Sequence, residues 1–209
     1  MNTASLPPEL ASADDVLAFW LGAARPDDAT ALAHSSAWFR SSAALDAQMR
    51  TRFGSTVEAA LQGRLQDWAA GSAWDWLALL LLLDQFTRNI HRGTAHSFAG
   101  DAQALALAQQ GLARQRDQSL PPVVRIFCYL PLEHAESAPL QQASVAAFTV
   151  LAAQAGAHNR EFLAMTLDYA RRHQAVVAQF GRFPHRNALL GRASTPAEQA
   201  YLAQPGAGF

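Results

Sequence analysis

The sequence predicts an all-α fold, a single domain of about nine helices. Half of the 209 residues are hydrophobic, yet only 9% are aromatic and 16% are charged, an alanine- and leucine-rich balance that favours packed helices over sheets. Helix start and stop signals recur along the chain, whereas the alternation of β-branched residues typical of strands is absent apart from Val123 and Val124. We therefore expect residues 1–209 to form one helical domain around one core, with residues 1–11 loosely ordered.

Capping and stop signals place the predicted helices of the first half of the chain. Asp14 and Asp15 suit the positive N-terminus of the first helix, and Gly22 ends it. Ser55 and Glu58 have the spacing of a capping box, in which two side chains satisfy the free N–H groups at the start of a helix. The predicted ranges are 14–21, 29–40, 43–53, 55–71, 72–92 and 101–116.

Proline and glycine divide the second half in the same way. Pro131 should end a short helix, because proline lacks the N–H group that a helix interior requires. Gly181 closes a long helix, and Pro184 suits the first turn of another. Thr195 and Glu198 form a second capping box, with a proline between them at the first helical position. The predicted ranges are 121–130, 139–155 and 159–180, with a final helix from 195 onward.

Composition excludes several classes of protein. A net charge of -1 argues against a surface-wide binder of nucleic acid or membranes, so we expect neither partner. The single cysteine, Cys128, excludes an internal disulfide and a cysteine-rich metal site, and it suits a reducing compartment. The first basic residue is Arg25, which is late for a signal peptide, and the apolar run Trp76–Leu83 is far shorter than the ~20 residues that span a bilayer. We expect a cytoplasmic protein.

A first polar cluster follows the leucine run. At ~100° per residue, Asp84, Arg88 and Arg92 share one stripe of a helix, with Gln85 and Asn89 beside it. The preceding turns are apolar on every side, which indicates that other helices enclose them. The polar stripe therefore predicts a partly buried cleft. The alternative is a solvated helix end with an ordinary Asp84–Arg88 pair.

A second cluster consists of Glu133, His134 and Glu136. Two carboxylates around an imidazole could bind a metal ion or act as acid and base. Neighbouring residues on a helix diverge by ~100°, however, so Glu133 and His134 cannot both point at one ion. No HExxH spacing or cysteine accompanies them. We therefore expect neither a metal nor another cofactor in this protein, and favour a hydrogen-bonded network with arginines.

A third cluster lies in the stretch from Tyr169 to Ala197, which contains no acidic residue. Its cationic and imidazole residues are Arg171, Arg172, His173, Arg182, His185, Arg186 and Arg192. A helix beginning at Pro184 would place His185, Arg186 and Asn187 at its positive end, where cations are unfavourable. Two explanations remain open. Distant acids, Asp84, Glu133 and Glu136, neutralise the arginines, or the site receives an anion.

These clusters also carry a resemblance to a known family. The matching segments are Phe19-Trp20, Leu83-Asp84-Gln85-Phe86, Arg88-Asn89, Arg92-Gly93, Phe98, Asp101, Pro131-Leu132-Glu133-His134, Glu136, Phe180-Gly181-Arg182-Phe183-Pro184-His185-Arg186-Asn187 and Leu190-Gly191-Arg192. On these segments the chain resembles the bacterial family called domain of unknown function 924. The resemblance implies an all-helical α-α superhelix similar to tetratricopeptide-like domains, and it implies no settled activity. Thr87 and Ala135 depart from the family pattern without removing a charged candidate.

Three functions remain open at this point. The first is a helical domain whose charged cleft binds an anionic small molecule or a peptide carboxylate. Its candidate ligand-binding residues are Asp84, Gln85, Arg88, Asn89, Arg92, Glu133, His134, Arg182, His185, Arg186, Asn187 and Arg192. The second is a hydrolase or lyase with acid-base candidates Glu133, His134, Glu136, His173 and His185. The third is a protein-interaction scaffold that uses the concave face of a superhelix. Whether the chain is an enzyme, and its oligomeric state, stay open.

Overall fold

Every regular element of the computed structural model, which describes residues 10–208, is helical. The α-helices are α1 (Ala13–Leu21), α2 (Asp28–His34), α3 (Ala43–Leu61), α4 (Gln66–Ala70), α5 (Ala73–Leu80), α6 (Thr87–Ile90), α7 (Asp101–Ala113), α8 (Pro122–Glu133), α9 (Ala138–Ala153), α10 (Arg160–Phe180) and α11 (Pro196–Leu202). Short 3-10 turns occupy Ser35–Ala37, Ala95–Phe98, Arg116–Ser119 and Pro184–Arg186. The predicted all-α class is confirmed. The tetratricopeptide-like arrangement stays a prediction, and of the segment expected to be loosely ordered, residues 1–9 lie outside the described range.

A π-helical segment, Leu81–Phe86, joins α5 to α6 without a break. Residues 73–90 therefore form one continuous helix, which we call the central helix. Counted in this way, residues 10–208 contain ten α-helices, close to the predicted number. The hydroxyl of Thr87 donates to the carbonyl of Leu82 at 2.8 Å and ties the π segment to the turn that follows it.

Local capping explains why most helices begin and end where they do. Complete capping boxes precede α1, α5 and α11, formed by Ser12 with Asp15, Ser72 with Asp75, and Thr195 with Glu198. Gly22 and Gly181 end α1 and α10 in the left-handed conformation that glycine adopts without strain. The final capping box and both glycine stops are as predicted.

The predicted helix start at Ser55 and Glu58 is wrong, because α3 runs through this point without interruption. Thr56 and Val57 are buried in the core, and the Thr56 hydroxyl accepts the backbone N–H of Ala11 at 2.9 Å. Tertiary contacts thus keep the segment helical where local spacing indicated a new start.

The predicted helix end before Pro131 is also wrong, since α8 includes this proline and ends at Glu133. Proline removes one backbone N–H, and near the C-terminus of a helix this costs a single hydrogen bond. The amide of Gln141 in α9 donates to the carbonyls of Glu133 at 2.6 Å and Ala135 at 2.8 Å. These bonds satisfy the free carbonyls at the end of the helix.

The central helix is the buried axis of the hydrophobic core. Its residues from Trp76 to Phe86 are all buried, as a helix that is apolar on every side requires. Phe86 lies at the middle of an aromatic group, with ring centroids 5.1 Å from Phe53 and 5.4 Å from Trp20. Asp84 and Gln85 belong to this buried stretch, so the core itself positions the first polar cluster. Within residues 10–208, no helix combines the length and hydropathy needed to cross a bilayer.

Candidate functional site

The buried carboxylate of Asp84 holds the imidazole of His134. Asp84 lies in the π segment, and His134 follows the last residue of α8. His134 Nδ1 is 2.7 Å from Asp84 Oδ1, and the amide of Gln85 donates to the other oxygen at 2.6 Å. Burial opposes ionisation of Asp84, but His134 and Arg88 outweigh it and hold the pKa of Asp84 well below its usual range. Asp84 is therefore an ionised hydrogen-bond acceptor.

His134 is poised as a neutral base. Burial and the charge of Arg88 lower its pKa, and Asp84 only partly opposes them. A neutral imidazole carries one N–H, and the ionised Asp84 fixes that hydrogen on Nδ1. Nε2 is then the nitrogen with a free lone pair, and the side chain keeps 16% of its surface exposed. The arrangement can accept a proton from a molecule at the edge of the site.

Glu133 and His173 form a second, largely uncharged pair beside the first. His173 Nδ1 lies 2.9 Å from the Tyr169 carbonyl and 3.1 Å from Glu133 Oε1. Burial and the nearby Asp84 raise the pKa of Glu133 to about 8, and burial lowers that of His173 to about 3. The second oxygen, Glu133 Oε2, is buried and has no hydrogen-bond partner among residues 10–208.

Two arginines from distant parts of the chain meet at Asp101. Arg88 on α6 lies 2.7 Å from one carboxylate oxygen, and Arg186, from the turn after α10, lies 3.3 Å from the other. Both guanidinium groups stack on Phe98, at 5.5 Å and 4.9 Å from its ring centroid, and Arg186 also lies over Phe183 at 4.5 Å. The two arginines are adjacent to the Asp84–His134 pair, because Arg88 also lies 3.5 Å from Asp84.

These two arginines are not fully satisfied by the protein. Arg186 is only 6% exposed, and the Nε atoms of Arg186 and Arg88 are both buried without a hydrogen-bond partner in the part of the chain that the structure describes. Burial and the neighbouring Arg88 lower the pKa of Arg186 to about 10. Buried N–H groups are nearly always paired in proteins, so two orphaned donors on adjacent guanidinium groups are hydrogen-bonding capacity that no described residue uses.

The predicted stripe of Asp84, Arg88 and Arg92 is only partly formed. α6 ends at Ile90, so Arg92 no longer follows helical spacing. Arg92 pairs with Asp46 of α3 at 2.7 Å. Asn89 donates to the sulfur of Met49, also on α3, at 3.4 Å, and its amide oxygen accepts from Arg92. Arg92 and Asn89 thus stabilise the contact with α3, and the structure does not bring them to His134.

The C-terminal arginines form a structural network. Arg192 makes a bidentate pair with Glu136 at 2.6 and 2.8 Å, and Glu136 also accepts the backbone N–H of Phe183. These bonds engage both carboxylate oxygens of Glu136, so this acid-base candidate serves as an ion-pair partner. Among the three distant acids proposed to neutralise this segment, Glu136 does so directly.

Arg182 and Asn187 fasten α11. Arg182 contacts both oxygens of Glu198, at 2.6 and 2.8 Å, and Asn187 lies 3.4 Å from the same carboxylate. The amide oxygen of Asn187 accepts from Arg192 at 2.9 Å, which links this network to the Glu136 pair. Arg182 and Asn187 are thus engaged within the C-terminal segment itself.

The prediction of a helix that begins at Pro184 is wrong. The segment makes only a 3-10 turn, Pro184–Arg186, so no helix N-terminus faces an anion there. His185 lies beside Phe183, with ring centroids 5.6 Å apart, and burial with the charge of Arg186 lowers its pKa to about 4. Any anion here would be bound by side chains.

Several residues of this region escaped sequence reasoning. Asp101 was expected only at the start of a helix and Glu198 only in a capping box, and both are also ion-pair partners of distant arginines. Phe98 carried no chemical signal. A separate group, Glu58, His91 and His96, gathers three potential metal ligands, and its only local signal is the pair of histidines five residues apart.

One pocket lies apart from Asp84, Arg88 and Arg186. It measures about 240 Å³ and sits between α9 and α10. Its lining residues are Ala138, Gln141, Gln142, Arg171, Gln174, Ala175 and Ala178. Arg171 of the third cluster lines it, but Asp84, Arg88, His134 and Arg186 do not, so the candidate site is defined by the convergence of buried polar groups and not by this cavity.

Comparison with known proteins places the chain in a family. The pattern that defines bacterial proteins of unknown function called DUF924 matches residues 16–206. The chain belongs to the DUF924 family. A solved structure of a protein of unknown function from Agrobacterium tumefaciens is similar to this DUF924 chain, with 37% sequence identity and a TM-score of 0.77. The match covers 91% of this chain and 96% of the other. No curated protein matches.

Proposed function

We propose that this protein binds a small anionic molecule or a peptide carboxylate between Arg88 and Arg186. The observation that carries the proposal is the pair of buried, unpartnered Nε donors on two guanidinium groups that share one carboxylate, Asp101. The planar guanidinium group offers forked N–H donors that match carboxylate and phosphate oxygens. His134, which shares the Asp84 carboxylate with Arg88, would contact the remainder of the ligand.

The surroundings favour a small ligand over a polyanion. Asp84 and Asp101 flank the two arginines, and their negative charges oppose the phosphate backbone of a nucleic acid.

The buried, lone Cys128 suits a reducing compartment, so we place the protein in the cytoplasm.

Thermal melting with and without anions tests the proposal. At ten times its dissociation constant, a bound anion should stabilise the wild type by about 1.4 kcal/mol and raise Tm by roughly 3–6 °C. Phosphate, sulfate and citrate are the probes. Arg186→Ala should lose this rise; its own Tm without anion should fall through the lost packing on Phe98 and Phe183, although Asp101 keeps Arg88 as a partner.

Arg182→Ala is the matched control. It should lower Tm, since Glu198 loses its bidentate partner, yet keep the anion-dependent rise. Sulfate and phosphate also stabilise proteins non-specifically, so the decisive quantity is the difference between the wild type and Arg186→Ala at equal ionic strength. An equal rise in both proteins, or no rise with any of the three anions, would refute the anion site.

A second candidate function, hydrolysis of a substrate that carries a carboxylate, is favoured by the Asp84–His134 hydrogen bond. In this reaction Nε2 of His134 takes a proton from water while the water oxygen bonds to the substrate's carbonyl carbon. The bond to the leaving group then breaks, and the imidazolium returns the proton to the leaving atom. Arg88 and Arg186 would hold the carboxylate of the substrate and so orient it.

A panel of esters and amides that bear a free carboxylate tests this activity. Turnover should fall by roughly 10²–10⁴-fold in His134→Asn, whereas His34→Asn, at an exposed histidine, should match the wild type. Circular dichroism checks that both variants fold. Hydrolysis is rejected if the wild type turns over no member of the panel, or if His134→Asn is as active as the wild type.

A further inference from the structure

A tight turn after the central helix brings two histidines together. The backbone and hydroxyl of Thr94 donate to the carbonyl of His91, at 3.1 and 2.8 Å, and Gly93 adopts the left-handed conformation that the turn requires, with φ 80°. The imidazoles of His91 and His96 are consequently perpendicular, with centroids 4.2 Å apart.

Glu58 of α3 completes the group from the opposite side. Its Oε1 lies 3.7 Å from His91 Nε2 and 3.6 Å from His96 Nε2, and the three ligand atoms all lie within 4.8 Å of one another. Both separations are longer than a hydrogen bond. The carboxylate and the two imidazoles are therefore gathered at one point without bonding one another.

His91 Nε2 provides an independent observation. This nitrogen is buried and has no hydrogen-bond partner within residues 10–208. Burial, His96 and the nearby Arg50 lower the pKa of His91, which favours the neutral imidazole that metal ions bind. Arg50 itself donates to the carbonyl of Ile90, at the end of the central helix. A buried imidazole nitrogen without a hydrogen-bond partner, close to a carboxylate and a second imidazole, is a donor atom that a metal ion can use.

We propose that Glu58, His91 and His96 bind a divalent transition-metal ion, with zinc as the best match. Two imidazole nitrogens and one carboxylate oxygen are a donor set that zinc accepts. Bond lengths of about 2.0–2.2 Å in a tetrahedral site place neighbouring ligand atoms about 3.4 Å apart, and the two measured separations are close to this value. The side chains of Glu58 and His96 are about half exposed, so water completes the coordination.

Metal titration of the purified, chelator-treated protein tests the site. Calorimetry with zinc should give one ion per chain, and cobalt(II) should produce the visible absorption of a tetrahedral complex. His96→Asn and Glu58→Gln should each weaken zinc binding on the order of a hundredfold. Magnesium, which prefers oxygen ligands in octahedral geometry, should not compete.

The matched control is His158→Asn. His158 lies on the surface 3.4 Å from Asp28, a histidine-carboxylate pair without a third ligand, so its loss should leave the zinc affinity unchanged. The proposal is overturned if zinc gives no saturable binding, if His96→Asn and Glu58→Gln bind as tightly as the wild type, or if only His158→Asn loses the ion. Because these residues are separate from Arg88 and Arg186, this result is independent of the anion site.

Discussion

Replacement of Gly100 by alanine is expected to lower the free energy of unfolding by about 3 kcal/mol or more. A Cβ atom at this position would lie 2.1 Å from the carbonyl oxygen of Leu83, which belongs to the π segment. The obstacle is backbone, so no side-chain rotation relieves it. Gly100 also accepts the N–H of Ala104 at 2.8 Å at the start of α7, and a shift of this turn would carry Asp101 away from Arg88. Urea unfolding measures the loss.

Gly54→Ala is the control for the general effect of a glycine substitution. Gly54 lies inside α3, and an added Cβ would meet nothing within 4 Å. Alanine has the higher helix propensity, so this variant should gain up to about 1 kcal/mol. If Gly100→Ala were as stable as the wild type, the close approach of α7 to the central helix would not be a fixed feature of the fold.

The effect of Glu133→Gln on the free energy of unfolding is expected to depend on pH and to become stabilising at alkaline pH. The folded pKa of Glu133, about 8, lies above its ordinary value of 4.5, so the native state binds more protons than the unfolded state between these values. Stability that is present below pH 4.5 is lost as pH rises through this window, by about 5 kcal/mol in total. Glutamine stays neutral and avoids the loss, so the variant should become the more stable protein at about pH 8.5.

Two histidines act in the opposite direction at lower pH. The pKa values of His173 and His185 are lowered to about 3 and about 4, so their contribution is lost as pH falls below about 6.5. Above about pH 6.5 both histidines are neutral in the folded and unfolded states, so the difference between Glu133→Gln and the wild type there isolates Glu133. Urea unfolding from about pH 5 to about pH 9 measures this difference in the free energy of unfolding. Glu161→Gln, at an exposed acid of α10, controls for the loss of one negative charge. A pH-independent difference between Glu133→Gln and the wild type would mean that Glu133 is ionised in the native protein at neutral pH.

Local signals predicted the fold wherever the physics was local. Gly22 and Gly181 end helices because their backbone conformation is cheap only for glycine, and the Thr195 capping box depends on contacts three residues apart. The same reasoning failed at Ser55 and Pro131. There, burial of Thr56 and the side chain of Gln141 decide the outcome, and both act through contacts made outside the helix in question.

The candidate site was predictable as a set of residues but not as a set of pairs. Asp84, Arg88, His134 and Arg186 were all singled out by charge in an apolar context. The partner of Arg186 is Asp101, 85 residues away, and a single sequence contains no information on that distance. Asp101 was also assigned to the first turn of a helix, and nothing local indicates that an acid can serve there and bind an arginine as well.

Because of the π segment, the geometry of this site depends on the number of residues in the central helix as well as on side-chain chemistry. A π turn holds one residue more than an α turn, so the two halves of the central helix are out of phase. Loss of one residue between Leu81 and Phe86 would allow an uninterrupted α-helix, which is the easier structure to form. Because the π turn takes up the extra residue, Arg88 would keep its direction toward Asp101, whereas the same deletion in the α-helical turns on either side would rotate everything beyond by ~100° and turn Arg88 away. The π segment is thus the place where the central helix can change length without separating Arg88 from Asp101.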